Sequence, residues 1–83
     1  MHEHLANLDL GGTWVDNVDN VQTISPRQGD VSSVVVNGSI HSFLIYKANG
    51  DVRGNWSGGI DGKLSDNNQT ITWSNGYQWF LAS

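Results

Sequence analysis

The segment Thr70–Phe80 reads T-I-T-W-S-N-G-Y-Q-W-F and carries the clearest hairpin pattern in the sequence. Polar and apolar residues alternate on both sides of Asn75 and Gly76. This dipeptide favours a two-residue type I′ turn, because both of its residues tolerate a positive φ. Such a turn fixes the pairing of the two strands and predicts that Thr72 lies opposite Trp79.

The predicted register separates the two faces of this hairpin, because opposed residues of a sheet point to the same side. One face is predicted to belong to the core, and it carries Ile71, Trp73, Gln78 and Phe80. The other face is predicted to point away from the core and sets aromatic rings among small hydroxyl groups. Its residues are Thr72, Ser74, Tyr77 and Trp79.

The rest of the chain predicts about six further short strands, separated by turns that are rich in glycine and asparagine. Asn-Gly dipeptides at 37–38 and 49–50 predict two more hairpins. The expected strands are Leu8–Asp16, Val21–Ser25, Val31–Val36, Ser39–Tyr46, Asp51–Trp56 and Gly59–Ser65. The fold class is therefore all-β, a small antiparallel up-and-down β-barrel or meander of about eight short strands in one domain, residues 1–83. Met1–Asn7 is expected to fray or to form one helical turn.

Composition limits the functional class. The 83 residues include eight acids and four bases, for a net charge of −4, so a nucleic-acid partner is not expected. No apolar run approaches the length of a membrane span, and the first residues lack the pattern of a signal peptide. We expect a soluble protein without a membrane partner, and its localisation stays open.

Metal and cofactor chemistry has little support in the residue pattern. The chain contains no cysteine, and we expect neither a metal nor a cofactor. Asp16 and Asp19 do not have the spacing of a calcium loop. The segment Asp16–Asn20 is instead predicted to be a turn whose side chains bond their own backbone.

A common parity across the strands predicts one core, made of Trp14, Val35, Leu64, Ile71, Trp73 and Phe80. The strand Ser39–Tyr46 is apolar on both faces, with Ile40, Leu44 and Tyr46 on one side and Phe43 and Ile45 on the other. A strand of this kind has something packed against each face. In so short a chain, this pattern predicts a homo-oligomer, most simply a dimer.

Two short motifs resemble those of a known group of barrels. The opening Gly11-Gly12-Thr13-Trp14 resembles the G-x-W motif of lipocalins and avidins, and Q-W-F-L at residues 78–81 resembles the closing strand of avidins. These calycin-like proteins are up-and-down barrels that hold a small ligand. The resemblance implies that Trp14 is a barrel-floor tryptophan and that Trp79 is a wall residue.

The aromatic and hydroxyl residues predict a non-enzymatic binding module for a carbohydrate. Sugars stack an apolar face on Trp or Tyr rings, while amide and hydroxyl groups bond their hydroxyls. The candidate ligand-binding residues are Trp79, Tyr77, Thr72, Ser74, Asn75, Trp56 and Asn55.

Two alternatives use other residues. A calycin-like carrier of an apolar small molecule needs a lumen lined by residues such as Trp14, Leu44, Leu64 and Trp73. A small β-barrel enzyme needs His41, which the predicted hairpin at 37–38 places opposite Val34, or a carboxylate pair such as Asp51 and Asp61. We favour a structural role for His41 and a role in turns for Asp51 and Asp61.

Overall fold

The computed structural model describes residues 8–82, which form a closed antiparallel barrel of eight strands with no helix. The strands are β1 Gly12–Asp16, β2 Val21–Ile24, β3 Val31–Val36, β4 Ile40–Tyr46, β5 Val52–Gly54, β6 Ile60–Leu64, β7 Thr70–Trp73 and β8 Gln78–Leu81. Each strand pairs with the next, and β8 returns to pair with β1. Closure leaves no exposed sheet edge, and it confirms the predicted up-and-down barrel. The helical turn predicted for Met1–Asn7 lies outside the described residues.

The core lies inside the barrel, where alternate residues of every strand point. Trp14, Ile71 and Trp73 are buried there as predicted, and Leu64 packs partly buried against them. The other buried apolar residues are Leu10, Ile24, Val34, Val36, Leu44, Tyr46, Val52, Ile60 and Trp79. Three polar residues, Asp16, Gln22 and Ser32, are buried as well.

Two inward positions are glycines because large rings occupy the space beside them. A Cβ atom at Gly62 would lie 2.7 Å from the Trp73 ring, and one at Gly54 would lie 2.5 Å from the Trp56 ring. Neither glycine has a positive φ, so the reason is room rather than backbone conformation. A narrow barrel accommodates large side chains by setting small residues opposite them.

The predicted register of the last hairpin is wrong by one residue. Thr72 pairs with Gln78, and Ile71 pairs with Trp79. The loop holds three residues, because the Trp73 amide donates to the carbonyl of Tyr77 (2.8 Å) and the Gly76 amide to the carbonyl of Trp73 (3.0 Å). A three-residue loop needs only its last residue in the left-handed region, which Gly76 provides at φ 95°.

A one-residue slip moves every side chain of a strand to the other face. Trp79 is therefore a core residue with 3 % of its surface exposed, whereas Phe80, predicted to be core, is 41 % exposed on the outer wall. Gln78, also predicted for the core face, is exposed. The same correction applies to β3 and β4, where His41 lies opposite Val35 rather than Val34. Val35 is consequently an outer-wall residue.

One end of the barrel, which we call the closed end, is sealed by the chain segment that precedes β1. Leu10 is buried there, and its backbone amide donates to the hydroxyl of Tyr46 (3.0 Å). The Leu10 carbonyl accepts a hydrogen bond from Nε1 of Trp14 (2.9 Å). Arg27 lies over the Tyr46 ring at 4.3 Å and donates to the Leu8 carbonyl (2.9 Å). The predicted strand thus begins at Gly12, and the residues before it close this end.

Candidate functional site

The opposite end, which we call the mouth, is open and holds a pocket of about 270 Å³. The turns β1–β2, β3–β4, β5–β6 and β7–β8 surround it, because an up-and-down barrel brings every second turn to the same end. The lining combines aromatic rings, aliphatic side chains and a group of polar side chains. Small-molecule pockets usually have volumes of about 300–1,000 Å³, so this one suits a small ligand.

Three tryptophans form the aromatic side of the pocket. Trp56 stacks on Trp79 with ring centroids 5.3 Å apart and planes 4° from parallel. Trp73 meets both rings edge to face, with centroids 4.9 Å from Trp56 and 5.0 Å from Trp79. Tyr77 also lines the pocket and is 44 % exposed. Such aromatic contacts contribute about 0.5–1.5 kcal/mol per pair beyond area burial, and they hold the cluster in one arrangement.

Trp56 reaches this cluster from a loop rather than from a strand. It follows the short strand β5 and begins a tight turn in which the Gly59 amide donates to the Trp56 carbonyl (2.9 Å). Ser57 and Gly58 have φ values of 54° and 79°, as a type I′ turn requires. The missing side chain at Gly54 leaves room for the indole. The Trp56 side chain is therefore half-buried at the edge of the pocket.

A buried polar network forms the other side of the pocket. The Gln22 amide nitrogen donates to Oδ2 of Asp16 (2.9 Å) and to Oδ1 of Asn37 (3.0 Å). The Asn37 backbone amide returns a hydrogen bond to Oε1 of Gln22 (2.7 Å). Oδ1 of Asp16 accepts from the backbone amides of Val18 and Asn20, at 3.0 and 2.8 Å, which confirms the predicted turn chemistry. The network fixes the β1–β2 and β3–β4 turns to each other through Gln22 of β2.

Several polar groups at the mouth make no hydrogen bond with any residue from 8 to 82. Asn37 and Asn75 use their side-chain oxygens, for Gln22 and for the Tyr77 amide respectively, while their amide nitrogens have no partner. The hydroxyl groups of Ser57 and Tyr77 also have none among these residues, and all four side chains line the pocket. These groups are available to a ligand without breaking an existing contact.

The floor of the pocket contains one buried donor without an acceptor. Nε1 of Trp73 has no hydrogen-bond partner among residues 8–82, although the residue is only 2 % exposed. A buried donor left unpaired costs about 1–3 kcal/mol. The indole of Trp14, in the same barrel, is paired. The mouth therefore retains a polar group that packing alone does not explain.

The predicted ligand-binding residues divide between the mouth and the outer wall. Trp56, Asn75, Tyr77 and Trp79 line the pocket, although Trp79 does so from inside the barrel rather than from an outward face. Thr72 and Ser74 are exposed on the outer wall: Thr72 accepts a hydrogen bond from Gln78 (3.3 Å), and Ser74 donates its backbone amide to the carbonyl of Asp61 (2.8 Å). Asn55 is exposed beside Trp56 and does not line the pocket.

The residues considered for catalysis are not brought together in a cleft. His41 is exposed on the outer wall. Asp61 is exposed there too, and it accepts hydrogen bonds from Lys47 (3.3 Å) and Arg53 (3.2 Å). The Lys47 hydrogen bond and charge, followed by the Arg53 hydrogen bond, lower the pKa of Asp61 below its ordinary value of 3.8. A general acid for glycoside chemistry needs a raised pKa, so Asp61 does not suit that role. Among residues 8–82, no three histidines or acids are grouped to hold a metal ion.

The polar network of the pocket, made of Asp16, Gln22 and Asn37, was not among the predicted site residues. Gln22 had a detectable signal, because it shares the parity of the apolar Ile24 in V-Q-T-I and so points into the barrel. An inward glutamine needs partners. Asp16 ends β1 and Asn37 begins the β3–β4 turn, and both meet Gln22 because β2 lies between β1 and β3 in the sheet.

No family model, no curated protein and no solved structure matches this chain. The resemblance to calycin-like barrels therefore stays a prediction. Across residues 8–82, the chain forms no helix of the length and hydropathy needed to cross a membrane.

Proposed function

We propose that this protein is a non-enzymatic binding module for a small saccharide and that the mouth of the barrel is its site. The observation that carries the proposal is the joint presence, in one pocket, of accessible aromatic rings and unused hydrogen-bond donors. Trp56 and Tyr77 supply the rings, and Asn37, Asn75 and Ser57 supply polar groups. A pyranose presents an apolar face and a ring of hydroxyls, and both kinds of surface are matched here.

An apolar ligand fits this lining less well. Enclosing the amide nitrogens of Asn37 and Asn75 beneath a hydrocarbon would remove them from water without a replacement partner. Each such burial costs about 1–3 kcal/mol on the protein scale. A saccharide hydroxyl accepts from an amide nitrogen and so avoids that cost. The polar half of the pocket therefore favours a saccharide over the apolar-carrier alternative.

Two substitutions of aromatic residues in or next to β8 test the proposal. Tyr77 lines the mouth, whereas Phe80 is on the outer wall, and their exposed fractions are 44 % and 41 %. Isothermal titration against a panel of mono- and disaccharides should detect binding by the wild type. We expect Tyr77→Ala to reduce affinity at least about tenfold, as the loss of a stacking ring does, and Phe80→Ala to leave it unchanged.

Two results would contradict the proposal. A wild-type protein that binds no saccharide in the panel has another function. Equal loss in the Phe80→Ala variant would place the site on the outer wall, with Thr72 and Ser74. Circular dichroism of each variant shows whether it keeps the fold, so that a loss of affinity is not mistaken for unfolding.

We also propose a homodimer that forms through the outer faces of β3 and β4. Phe43 and Ile45 point outward from β4, and Ile45 lies directly opposite Val31 of β3. All three are between 38 % and 40 % exposed. Adjacent exposed apolar residues of this kind are typical of protein–protein contacts. Because the barrel is closed, a second copy would pack face to face rather than extend the sheet.

Sedimentation tests the dimer. The wild type should sediment as a dimer at high micromolar concentration, and Phe43→Glu should sediment as a monomer because a carboxylate would be buried in the contact. Phe80→Glu changes a similarly exposed ring on another part of the wall and serves as the control. A monomeric wild type, or dissociation of both variants alike, would contradict this interface.

A further inference from the structure

The mouth contains a buried carboxylate that forms no ion pair with any base among residues 8–82. Asp16 is 3 % exposed, and its three hydrogen-bond donors are the backbone amides of Val18 and Asn20 and the side-chain amide of Gln22. All three donors are neutral. None of the ion pairs within residues 8–82 includes Asp16. Buried carboxylates in proteins are normally paired with a cation, so the missing partner has to be explained.

The charge distribution over the barrel makes the mouth negative. Asp16 is the one charged residue that lines the pocket, and the same turn also carries Asp19. The bases lie elsewhere. Arg27 is at the closed end, Lys47 and Arg53 bond Asp61 on the outer wall, and Lys63 pairs opposite Thr72 on the outer wall. A concave site with one sign of charge concentrates ligands of the other sign.

The aromatic rings lie next to this carboxylate. Asp16 and Trp79 are directly opposed on β1 and β8, and both point into the barrel. Trp56 stacks on Trp79, and Tyr77 lines the same pocket. Aromatic rings attract cations through their electron-rich faces. A cation in the pocket would therefore meet the carboxylate on one side and the rings on the other.

We propose that the mouth selects saccharides that carry a protonated amine, such as hexosamines, over neutral and acidic ones. This inference rests on the proposed saccharide function and adds the chemical class of the ligand. The positive charge of the amine is attracted to the Asp16 carboxylate, whose oxygens keep their existing hydrogen-bond donors. Saccharides with a carboxylate or sulfate are disfavoured, because a second negative charge would be placed beside Asp16.

The experiment compares sugars that differ at a single substituent. Glucose with glucosamine, galactose with galactosamine and mannose with mannosamine are titrated into the wild-type protein at low ionic strength, together with the corresponding uronic acids. We expect the amine of at least one pair to bind about tenfold more tightly than its neutral counterpart, and the acids to bind most weakly. Neutral sugars that bind as tightly as their amines overturn this inference and leave the proposed function intact. If no sugar of any pair binds, both fail.

Substitutions of Asp16 and Asp19 test which of these two carboxylates causes the preference for amines. Asp16→Asn keeps a side-chain oxygen for the turn amides but sets a second donor against the amide nitrogen of Gln22, so its affinity for both sugars of a pair is measured, and the ratio of amine to neutral affinity should fall to about one. Asp19→Asn removes an exposed charge from the same turn and should retain most of that preference. An amine preference that survives in Asp16→Asn overturns the inference. Should that variant fail to fold, the wild type decides with N-acetylated sugars, which keep the nitrogen and lose its positive charge: they should lose the preference, and acetylated sugars that bind as tightly as the free amines overturn the inference.

Discussion

The closed end and the mouth of this barrel use their polar atoms in opposite ways. At the closed end, the Tyr46 hydroxyl bonds both the Leu10 amide and Ser32, and the Trp14 indole bonds the Leu10 carbonyl. At the mouth, the Trp73 indole has no acceptor among residues 8–82. The polar groups named at the closed end are paired with one another, whereas the mouth has a hydrogen-bond donor without a partner among the described residues. This difference is what distinguishes a structural end from a site that could bind a ligand.

The aromatic residues show the same contrast. Tyr46 is 5 % exposed and is covered by Arg27, whereas Tyr77 is 44 % exposed at the edge of the pocket. Both are tyrosines near a turn of the barrel. The first has a partner for its hydroxyl on each side, and the hydroxyl of the second bonds no other residue from 8 to 82. Substitutions that remove the same atoms at each end can therefore test the contrast.

The largest effect is expected at the floor of the mouth. Trp73→Ala removes a ring that contacts both other tryptophans of the cluster, and the inward Gly62 beside it cannot fill the space. We expect a loss of about 3–5 kcal/mol in the free energy of unfolding, much of the stability of a domain this small. Urea unfolding measures it. A cooperative variant with unchanged stability would show that this cluster does not hold the mouth together.

A smaller effect is expected from Tyr46→Phe at the closed end. The substitution leaves the Leu10 amide and the Ser32 hydroxyl buried without their partner, at a cost of about 1–3 kcal/mol. Tyr77→Phe removes the same atom at the mouth and should change stability by less than about 0.5 kcal/mol. Thermal unfolding of both variants gives the comparison. Equal losses would mean that the hydroxyl of Tyr77 also has a structural role.

The smallest effect concerns the two buried indole nitrogens. Trp14→Phe deprives the Leu10 carbonyl of its donor, whereas Trp73→Phe removes a donor that has no acceptor. Both substitutions replace a buried indole by a smaller ring, so the loss of stability that comes from packing should be similar in the two variants. We expect Trp14→Phe to be the more destabilising by about 1 kcal/mol. Chemical denaturation of the two variants measures the difference, and a reversed order would contradict the contrast between the ends.

Much of the barrel could be predicted from local patterns. Alternation and turn residues identified the strands to within a few residues, and they placed Trp14, Ile71 and Trp73 in the core. The two faces of β4 were also separated correctly for Leu44 and Tyr46, which are buried, and for Phe43 and Ile45, which are outside, whereas Ile40, predicted with the first two, is 51 % exposed. These features depend on neighbours along the chain and on one hairpin at a time. Such information is contained in the sequence.

The register of the last hairpin could not be predicted in this way. Asn-Gly suits a two-residue loop and also the end of a three-residue loop, and the two differ by one residue in pairing. The chain uses the second kind around both Gly50 and Gly76. Burial of Trp79 against Trp56 and Trp73 favours that choice, and those rings meet only in the finished barrel.

The sequence by itself determined a small all-β domain with alternating strands, tight turns and a tryptophan-rich core. Only the tertiary structure decided which rings face inward, because a shift of one residue exchanges the two faces of a strand. It also decided where the site lies. Asp16 and Gln22 come from the β1–β2 hairpin and Trp56 from the loop after β5, and closure of the barrel is the physical step that brings this indole to the same pocket as the carboxylate and the amide.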